Sequence, residues 1–481
     1  MSVAEGLMTR LQQWVPPTER RSREAILRAG MPPPWPESPM RQVRRWASDM
    51  DGLLGEAAAT GSAWTFDFWR QGRMAVFTSE SARRQVLAAG PEELGHANDL
   101  AGLFVGPHSL LLRNGEDHAR ARRRTLKLIG AERLSVYGQA MLDVTREWLA
   151  TLSPGDEIEV LDACQNMTLD IILRTVLGVP PGPDYDALHA AARAFMMSGR
   201  SVAGNLAALL LPTDALRGAV LGPEDPTGGS ATLGALGRSL PGAVEGRTLV
   251  SLLRASIARR RAKPDGDDVL ARLVQEGELG DAAILDEIAT LLLAGHDTTA
   301  VTLGWMLYRI GRRPTLWTEL RTELEAHTEG EPLDPTKLPR RGLLGACVME
   351  SLRLDGLTLG VLRRARRSVM IDGYRIPAGT LVNALVRPRH IDPERWDDPE
   401  RFAPERMLSA KPAPHEFAPF GGGYRRCVGA SFATYEMQIV LAGIAEAIEL
   451  HTPPDVVVDR VQYGPFPGPS NRIPMRVVAR P

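Results

Sequence analysis

The ten residues from Phe420 to Gly429, FGGGYRRCVG, constrain this sequence more than any other segment. Consecutive glycines allow close backbone approach and positive φ angles, and the residues that follow predict a helix from about 428 to 448. The loop therefore places Cys427 just before a helix, whose N-terminus favours the thiolate over the thiol. With no second cysteine or histidine nearby, such a thiolate is a poor zinc site and a good single axial ligand for haem iron.

The composition is that of an ordinary folded chain, with 44% hydrophobic and 24% charged residues and a net charge of −1 over 481 residues. This charge gives no general attraction to nucleic acid, and we expect no nucleic-acid partner. Three cysteines cannot form a disulfide framework, and the N-terminal segment has no signal-type apolar core, so we expect a cytoplasmic protein. The longest apolar run, around Ile288–Ala294, is interrupted by His296 and Asp297. It falls short of the ~18 residues that span a bilayer, so we expect no transmembrane anchor.

Helical patterns dominate the chain. A basic helix is predicted at 115–130, and a proline-free helical pattern persists from Asp281 to Arg313. Two β-prone runs flank Asp372-Gly373, which indicates a hairpin within one small β region at about 366–387. Residues 1–60 are rich in arginine and proline, and residues 212–246 in glycine, proline and serine. We therefore predict one domain over residues 1–481, with a mobile lid at about 190–250.

The cysteine segment resembles the haem-ligand signature of the cytochrome P-450 superfamily, FGxGxRxCxG, at every fixed position. The resemblance covers roughly residues 90–445. It implies a mainly α fold with a minor β-sheet domain, a triangular helix-rich prism in which a long central helix crosses over the haem. It also implies haem b as the cofactor, Cys427 as the axial thiolate to iron, and Phe420, Arg425 and Gly429 as haem-binding residues.

Three further motifs agree with this resemblance in order and spacing. Glu350-Ser351-Leu352-Arg353 matches the family's ExxR, whose two charged side chains share a helix face. With Arg406 of the segment Phe402–Arg406, they are implied to form a structural triad beneath the haem. Ala294–Thr299, AGHDTT, matches the oxygen-groove motif of the long helix. The resemblance places Ala294 at the haem, Thr298 as the residue that positions water at the oxygen groove, and Asp297 as the acid that helps deliver protons. His296 has no assigned role.

The haem propionates need positively charged partners. The resemblance nominates His118 and Arg122 on the basic helix, Arg364 after ExxR, and Arg425 in the cysteine segment. Asp355-Gly356-Leu357 replaces the proline-rich continuation that is usual after ExxR. Substrate-pocket residues are expected in the loop before the basic helix, on the long helix, after ExxR and in the C-terminal turn: Leu103, Phe104, Val105, Leu291, Leu357, Leu359, Val361, Leu362 and Phe466.

The family resemblance implies a bacterial-type monooxygenase that uses O2 to hydroxylate or epoxidise a hydrophobic small molecule of terpene, steroid, fatty acyl or polyketide type. No flavin, nicotinamide or iron–sulfur segment follows the cysteine helix, so the electrons of NAD(P)H are expected through a separate ferredoxin or flavodoxin and its reductase. We expect the donor to dock at Arg120, Arg123, Arg124 and Lys127, and the enzyme to be a monomer.

Two alternatives stay open at this stage. One is a related enzyme that catalyses oxidative coupling, cyclisation or peroxide-driven oxidation, although the intact Asp297-Thr298 pair favours oxygen. The other is a haem protein that binds a ligand without turnover.

Overall fold

The computed structural model describes residues 24–68, 72–198, 243–339 and 342–479. The helices of eight or more residues, and two short ones, are α1 (Pro39–Ser48), α2 (Met50–Thr60), α3 (Glu80–Ala88), α4 (Gly115–Ile129), α5 (Leu134–Leu149), α6 (Val160–Thr175), α7 (Pro183–Ser198), α8 (Ala243–Ala262), α9 (Val269–Glu276), α10 (Asp281–Gly311), α11 (Thr315–Thr328), α12 (Leu343–Leu354), α13 (Arg387–His390), α14 (Glu405–Ser409) and α15 (Ala430–Ala447). The strands are β1 (Ala63–Asp67), β2 (Arg73–Phe77), β3 (Leu94–Gly95), β4 (Glu157–Glu159), β5 (Gly360–Ala365), β6 (Val369–Ile371), β7 (Tyr374–Ile376), β8 (Leu381–Leu385), β9 (Ile448–His451), β10 (Arg460–Tyr463), β11 (Phe466–Pro469) and β12 (Pro474–Ala479).

Helix α10 is the central element, with 31 residues. It packs most closely along α6 and also contacts α8, α12 and α15. Its second half is buried on almost every side, which is why this part of the sequence is apolar all round. The proline-free pattern predicted this helix to within two residues of its observed end.

Helices α5, α12 and α15 form a layer below α10, and their buried side chains join those of α6 and α10 in one large hydrophobic core. Cys164 of α6 and Cys347 of α12 lie in this core with no exposed surface. The mainly α fold with small sheets is the predicted fold class, which is confirmed.

Strands contribute more than the single β region expected at about 366–387. The hairpin β6–β7 forms around Asp372-Gly373 as predicted. However, β8 belongs to a five-stranded sheet in the order β1-β2-β8-β5-β3, where it pairs in parallel with β2. A three-stranded sheet, β4-β12-β9, and the hairpin β10–β11 complete the described β structure. Strand β8 lies within the predicted β region. Sequence patterns missed the strands outside that region because most are short and pair with distant parts of the chain.

The lid prediction concerns about 190–250, of which residues 199–242 lie outside the described part. On its two sides, α7 packs against α8. A search of the described helices finds none that is both long and apolar enough to cross a membrane.

Candidate active site

The cysteine loop, residues 418–429, owes its path to its glycines. Gly421 and Gly423 have φ angles of 63° and 64°, in the left-handed region that side chains disfavour. A Cβ on Gly423 would lie 2.3 Å from the carbonyl oxygen of Leu87. The amide of Cys427 donates to the carbonyl of Phe420 at 3.0 Å and closes the loop just before α15.

Cys427 is exposed, whereas the other two cysteines are buried. Although the residue has exposed surface, desolvation of its sulfur raises the pKa of the Cys427 thiol above the ordinary value. The backbone amides of Gly429 and Ala430 and the charges of Arg426 and Arg122 act in the opposite direction. The loop amides and the two arginines therefore favour the thiolate, whereas desolvation favours the thiol.

A cavity of about 490 Å³ lies between the cysteine loop and α10. Cys427, Phe420, Arg425 and Gly429 line it on the loop side, and Leu291, Ala294, Gly295 and Thr298 line it on the α10 side. The apolar residues in its wall outnumber the polar ones. Residues that are far apart in sequence thus share one enclosure, with the thiol facing a helix groove.

The side chains of Thr298 and Asp297, both in α10, have different surroundings. Thr298 lines the cavity, and its hydroxyl donates to the carbonyl of Ala294 at 2.7 Å, a contact that weakens the helix locally. Asp297 lies outside the cavity wall, where its carboxylate accepts from the side-chain amide of Gln165 at 3.4 Å. His296 is buried, and its Nδ1 lies 2.9 Å from the Thr168 hydroxyl. The motif therefore presents a hydroxyl to the cavity and an acid directly behind it.

The Glu350–Arg353 pair is completely buried in α12. Arg353 Nε and Nη2 donate to the two carboxylate oxygens at 2.8 Å each. Arg406 Nε lies 3.2 Å from Glu350 Oε1, and the Ala403 amide donates to the same oxygen at 3.0 Å. The structure thus brings the three predicted triad residues into contact. Every charge in the triad has a partner, which offsets the cost of burying it.

His118, Arg122 and Arg425 line one side of the cavity. His118 is buried, and this burial, assisted by the charges of Arg425 and Arg122, lowers its pKa to about 4. The histidine is therefore neutral near pH 7. In the described part of the chain, Arg425 Nε is buried with no hydrogen-bond partner. This side of the cavity is accordingly suited to an anion.

Arg364 is not among the residues that line the cavity, and its role as a propionate partner stays a prediction. Its guanidinium lies 2.5 Å from the Asp99 carboxylate and donates to the carbonyl of Gly379. The neighbouring Arg363 lines the cavity instead, is buried, and donates to the carbonyl of Gly422 at 2.9 Å. Side chains alternate along β5, whose buried positions are Val361, Arg363 and Ala365. Arg363 is thus at a buried position of the strand, whereas Arg364 is not.

Four expected pocket residues line the cavity: Leu291, Leu357, Val361 and Leu362. Phe104, Val105, Leu359 and Phe466 are not among the lining residues, and their place in a substrate pocket stays a prediction. The side chain of Leu103 lies outside the described part. Phe104 packs on Phe195, Leu359 belongs to the core around α1 and α2, and Phe466 packs against Tyr463. The loop before α4 reaches the cavity later than expected, at Leu110 and Leu111.

The sequence patterns missed several other residues of the cavity wall. His96, Glu287, Thr290 and Thr358 line it. Arg124, expected on an exposed docking surface, is buried and lies 2.7 Å from the Glu287 carboxylate. The helical spacing of three residues between His118 and Ala121, both buried, places Arg124 on the same inner face.

Comparisons with known proteins agree on one family. The sequence profile of the family Cytochrome P450 matches residues 248–471. Cytochrome P450 135B1 of Mycobacterium bovis is 31% identical over 402 residues, which are 82% of this chain and 79% of that protein. Cytochrome P450 138 of the same organism is 30% identical over 402 residues, 82% of this chain and 83% of that protein.

Solved structures with the same fold include that of a retinoic acid-bound cyanobacterial CYP120A1. It has a TM-score of 0.73 and 21% identity, and the match covers 90% of this chain and 97% of that one. The haem domain of cytochrome P450DA also has a TM-score of 0.73, with 20% identity over 89% of this chain and 92% of that one.

The family profile and the curated relatives identify the chain as an oxidoreductase. The chain belongs to the cytochrome P450 family. It is a haem-dependent monooxygenase that uses O2, and the resemblance found in the sequence is confirmed.

The residues of this cavity fit a haem. The porphyrin carries two carboxylates, and Arg122, Arg363 and Arg425 line the cavity. Among the described residues, none of these three arginines forms an ion pair with a carboxylate of the protein. Cys427 contributes a thiol to the cavity wall, and Thr298 a hydroxyl. The chemistry of these donors is that required for one axial thiolate and two propionates.

Proposed function

We propose that this chain hydroxylates or epoxidises a hydrophobic small molecule of terpene, steroid, fatty acyl or polyketide type. The observation that carries the proposal is the wall of the cavity above Cys427. Leu110, Leu111, Leu291, Val361 and Leu362 line it, and burial of apolar surface is the main source of affinity in such a cavity. We place the substrate against these residues, between the loop before α4 and strand β5.

Each site residue has a role in this proposal. Cys427 holds the haem iron, and His118, Arg122, Arg363 and Arg425 hold the propionates. Bound in this way, the haem supplies oxygen activation, which thiolate ligation favours. Phe420 and Gly429 shape the loop beside Cys427, and Ala294 leaves room at the groove of α10.

Proton delivery is assigned to Thr298 and Asp297 of α10. The Thr298 hydroxyl holds a water molecule in the cavity, and Asp297 replenishes the proton from outside the cavity wall. The neutral side-chain amide of Gln165 donates a hydrogen bond to the Asp297 carboxylate and keeps it oriented. Oxygen chemistry of this class consumes two protons and two electrons for each atom inserted.

The electrons come from NAD(P)H through a separate ferredoxin or flavodoxin with its reductase. Support for an acidic donor comes from α4, where Arg120, Arg123 and Lys127 are exposed on the helix that carries His118 and Arg122. These cations lie close to the cavity edge and attract a negative surface.

The assignment of Cys427 is tested by its substitution with serine in the full chain. Haem-loaded protein, reduced and exposed to carbon monoxide, is expected to give a thiolate-type spectrum. Cys427→Ser loses that spectrum, because a hydroxyl is a poor ligand for this iron. Cys164→Ser, in the core, is the matched control and keeps it. A thiolate-type spectrum in Cys427→Ser contradicts the assignment.

The substrate class is tested by titrating a library of apolar compounds and following the change in haem spin state. With the compound that binds best, Thr298→Ala is expected to consume electrons at a similar rate but to form several-fold less product. The reason is that water is no longer held at the groove. Thr434→Ala, in α15, is the control, because its hydroxyl likewise donates to the carbonyl one turn earlier, at 2.8 Å, but does not line the cavity. Equal coupling in wild type and Thr298→Ala contradicts the role of Thr298.

A further inference from the structure

His390 lies between the buried triad and the cysteine loop. It is the last residue of the short helix α13 and is 1% exposed. Its backbone carbonyl accepts from Arg353 Nη1 at 2.7 Å, and its side-chain Nε2 accepts from the amide of Ala418 at 3.2 Å. One residue thus touches the Glu350–Arg353 pair through its main chain and the cysteine loop through its ring.

The ring of His390 has a defined protonation state. A backbone amide can only donate, so Nε2 must be the unprotonated nitrogen. Burial, together with the charges of Arg387 and Arg353, lowers the pKa of His390 to about 3. The imidazole therefore stays neutral and keeps its acceptor over the whole working range of pH.

Ala418 is the point where this contact enters the cysteine loop. Its own carbonyl accepts from the amide of Gly421 at 2.9 Å, so the turn begins at Ala418. The next link is the contact between the Cys427 amide and the Phe420 carbonyl at 3.0 Å. Beside it, the ring of Phe417 lies 5.1 Å from the imidazole, which fixes the side from which His390 approaches.

The contact cannot be replaced by water. Ala418 is 3% exposed and His390 is almost fully enclosed. If the acceptor were removed, the Ala418 amide would be a buried donor without a partner. The turn would relax toward another acceptor, and Cys427 lies at its far end.

We propose that His390 is a positioning residue for the cysteine ligand, because its ring transmits the placement of the Glu350–Arg353 pair to the cysteine loop. His390 lies outside the cavity wall and acts through Ala418. The inference rests on Cys427 as the haem ligand proposed above, and it adds a residue that the triad and the loop motif do not contain.

The first test compares His390→Phe with His390→Gln in the full, haem-loaded chain. Phenylalanine fills the space without an acceptor, whereas the glutamine amide carries a carbonyl oxygen. His451→Phe, in β9, is the matched histidine control. The readout is the ratio of the thiolate-type to the thiolate-free spectrum in the reduced carbon-monoxide complex. It is measured at increasing guanidinium concentrations, all of them below those that unfold the protein.

His390→Phe is expected to shift this ratio about tenfold toward the thiolate-free form, the change that the loss of one buried hydrogen bond produces. His390→Gln is expected to stay near wild type. If phenylalanine has no effect, or if glutamine shifts the ratio as much as phenylalanine, the proposal is overturned. A lower thermal midpoint with an unchanged ratio means a merely structural role and also overturns it.

The second test does not depend on the haem ligand. Hydrogen exchange at the peptide that contains Ala418 is expected to be about tenfold faster in His390→Phe than in wild type, with and without haem. Exchange in α10 is expected to be unchanged. Equal exchange at Ala418 overturns the proposal. A Cys427→Ser protein with a thiolate-type spectrum overturns the ligand assignment instead, while the exchange result still decides whether His390 holds the loop.

Discussion

Arg363 and Arg364 are adjacent in the chain but contact different parts of the fold. Arg363 lines the cavity with its guanidinium on a loop carbonyl, whereas Arg364 is committed to Asp99. Burial lowers the pKa of Arg363 to about 10, which still leaves it charged near neutral pH. A motif alone cannot choose between two consecutive arginines, and here burial and contacts in the fold separate them.

Replacing Arg363 is expected to weaken haem retention. Arg363→Leu removes a charged hydrogen-bond donor to a propionate, and haem transfer to apomyoglobin should be about tenfold faster. Arg364→Leu is the matched control, since it loses only the partly exposed Asp99 pair. If Arg364→Leu loses haem faster than Arg363→Leu, the assignment is wrong.

At the residue level, the sequence predicted contacts that depend on local geometry. Glu350 and Arg353 lie one helical turn apart, and the glycines of the cysteine loop impose their turns wherever the chain goes. It did not predict Gln165 behind Asp297 or His390 beneath Ala418. These residues matter through contacts across the fold, and neither has a local pattern that marks it.

Helix α4 has two working faces. His118, Arg122 and Thr125 face the cavity, while Arg120, Arg123 and Lys127 face outward. A single element therefore places cofactor-binding residues and the proposed docking charges on opposite sides. A donor docked on these charges, as proposed, would lie across α4 from the residues proposed to hold the haem.

Reversing the outward charges is expected to slow reduction. The triple variant Arg120→Glu, Arg123→Glu, Lys127→Glu should accept electrons from a reduced acidic ferredoxin about tenfold more slowly at low salt. Its salt dependence should also be weaker, because less attraction remains to be screened. Arg44→Glu, exposed on α1, is the control. An unchanged rate and salt dependence in the triple variant would refute docking at α4.

Among the elements, the long helix α10 was predictable and most of the strands were not. A helix of this length carries its pattern in consecutive residues. Strands such as β1 and β2 have five residues each, and β8 finds its parallel partner in β2 across most of the chain. Only tertiary packing makes such short segments extended.

Over the whole molecule, buried neutral histidines make stability depend on pH. The folded pKa values of His118 and His390 are about 4 and about 3, below the ordinary value of 6.5. The unfolded chain therefore binds more protons than the folded one below pH 6.5. The contribution of these two histidines to the free energy of unfolding is therefore fully present above pH 6.5. It decreases as the pH falls toward their folded pKa values.

Between pH 6 and pH 5, each such histidine should lower the free energy of unfolding by up to about 1.4 kcal/mol. The measurement is guanidinium unfolding at several pH values. His390→Gln, which cannot titrate, should flatten the dependence by that amount relative to wild type. If the His390→Gln curve runs parallel to that of wild type, the pKa assigned to His390 is wrong.

The two ends of the described chain are fastened to each other. The Met50 amide donates to the side chain of Gln462 at 3.2 Å, and Arg460 contacts both Asp51 and the carbonyl of Asp355. Asp355 also holds Arg309 of α10 through two hydrogen bonds of 3.0 and 2.9 Å. The segment Asp355-Gly356-Leu357, which replaces the usual prolines after ExxR, is thus held by hydrogen bonds from charged side chains. It lies where α2, α10 and β10 meet.

The parallel pairing of β2 with β8 has a consequence for synthesis. During translation, β1 and β2 leave the ribosome about 300 residues before β8, and until then one edge of the β1–β2 hairpin has no strand beside it. The apolar residues Met74, Val76 and Phe77 of that edge strand are fully buried in the finished protein. The nascent chain must therefore carry an exposed, aggregation-prone edge for most of its synthesis, and its yield in a cell should respond to chaperone supply and to translation speed.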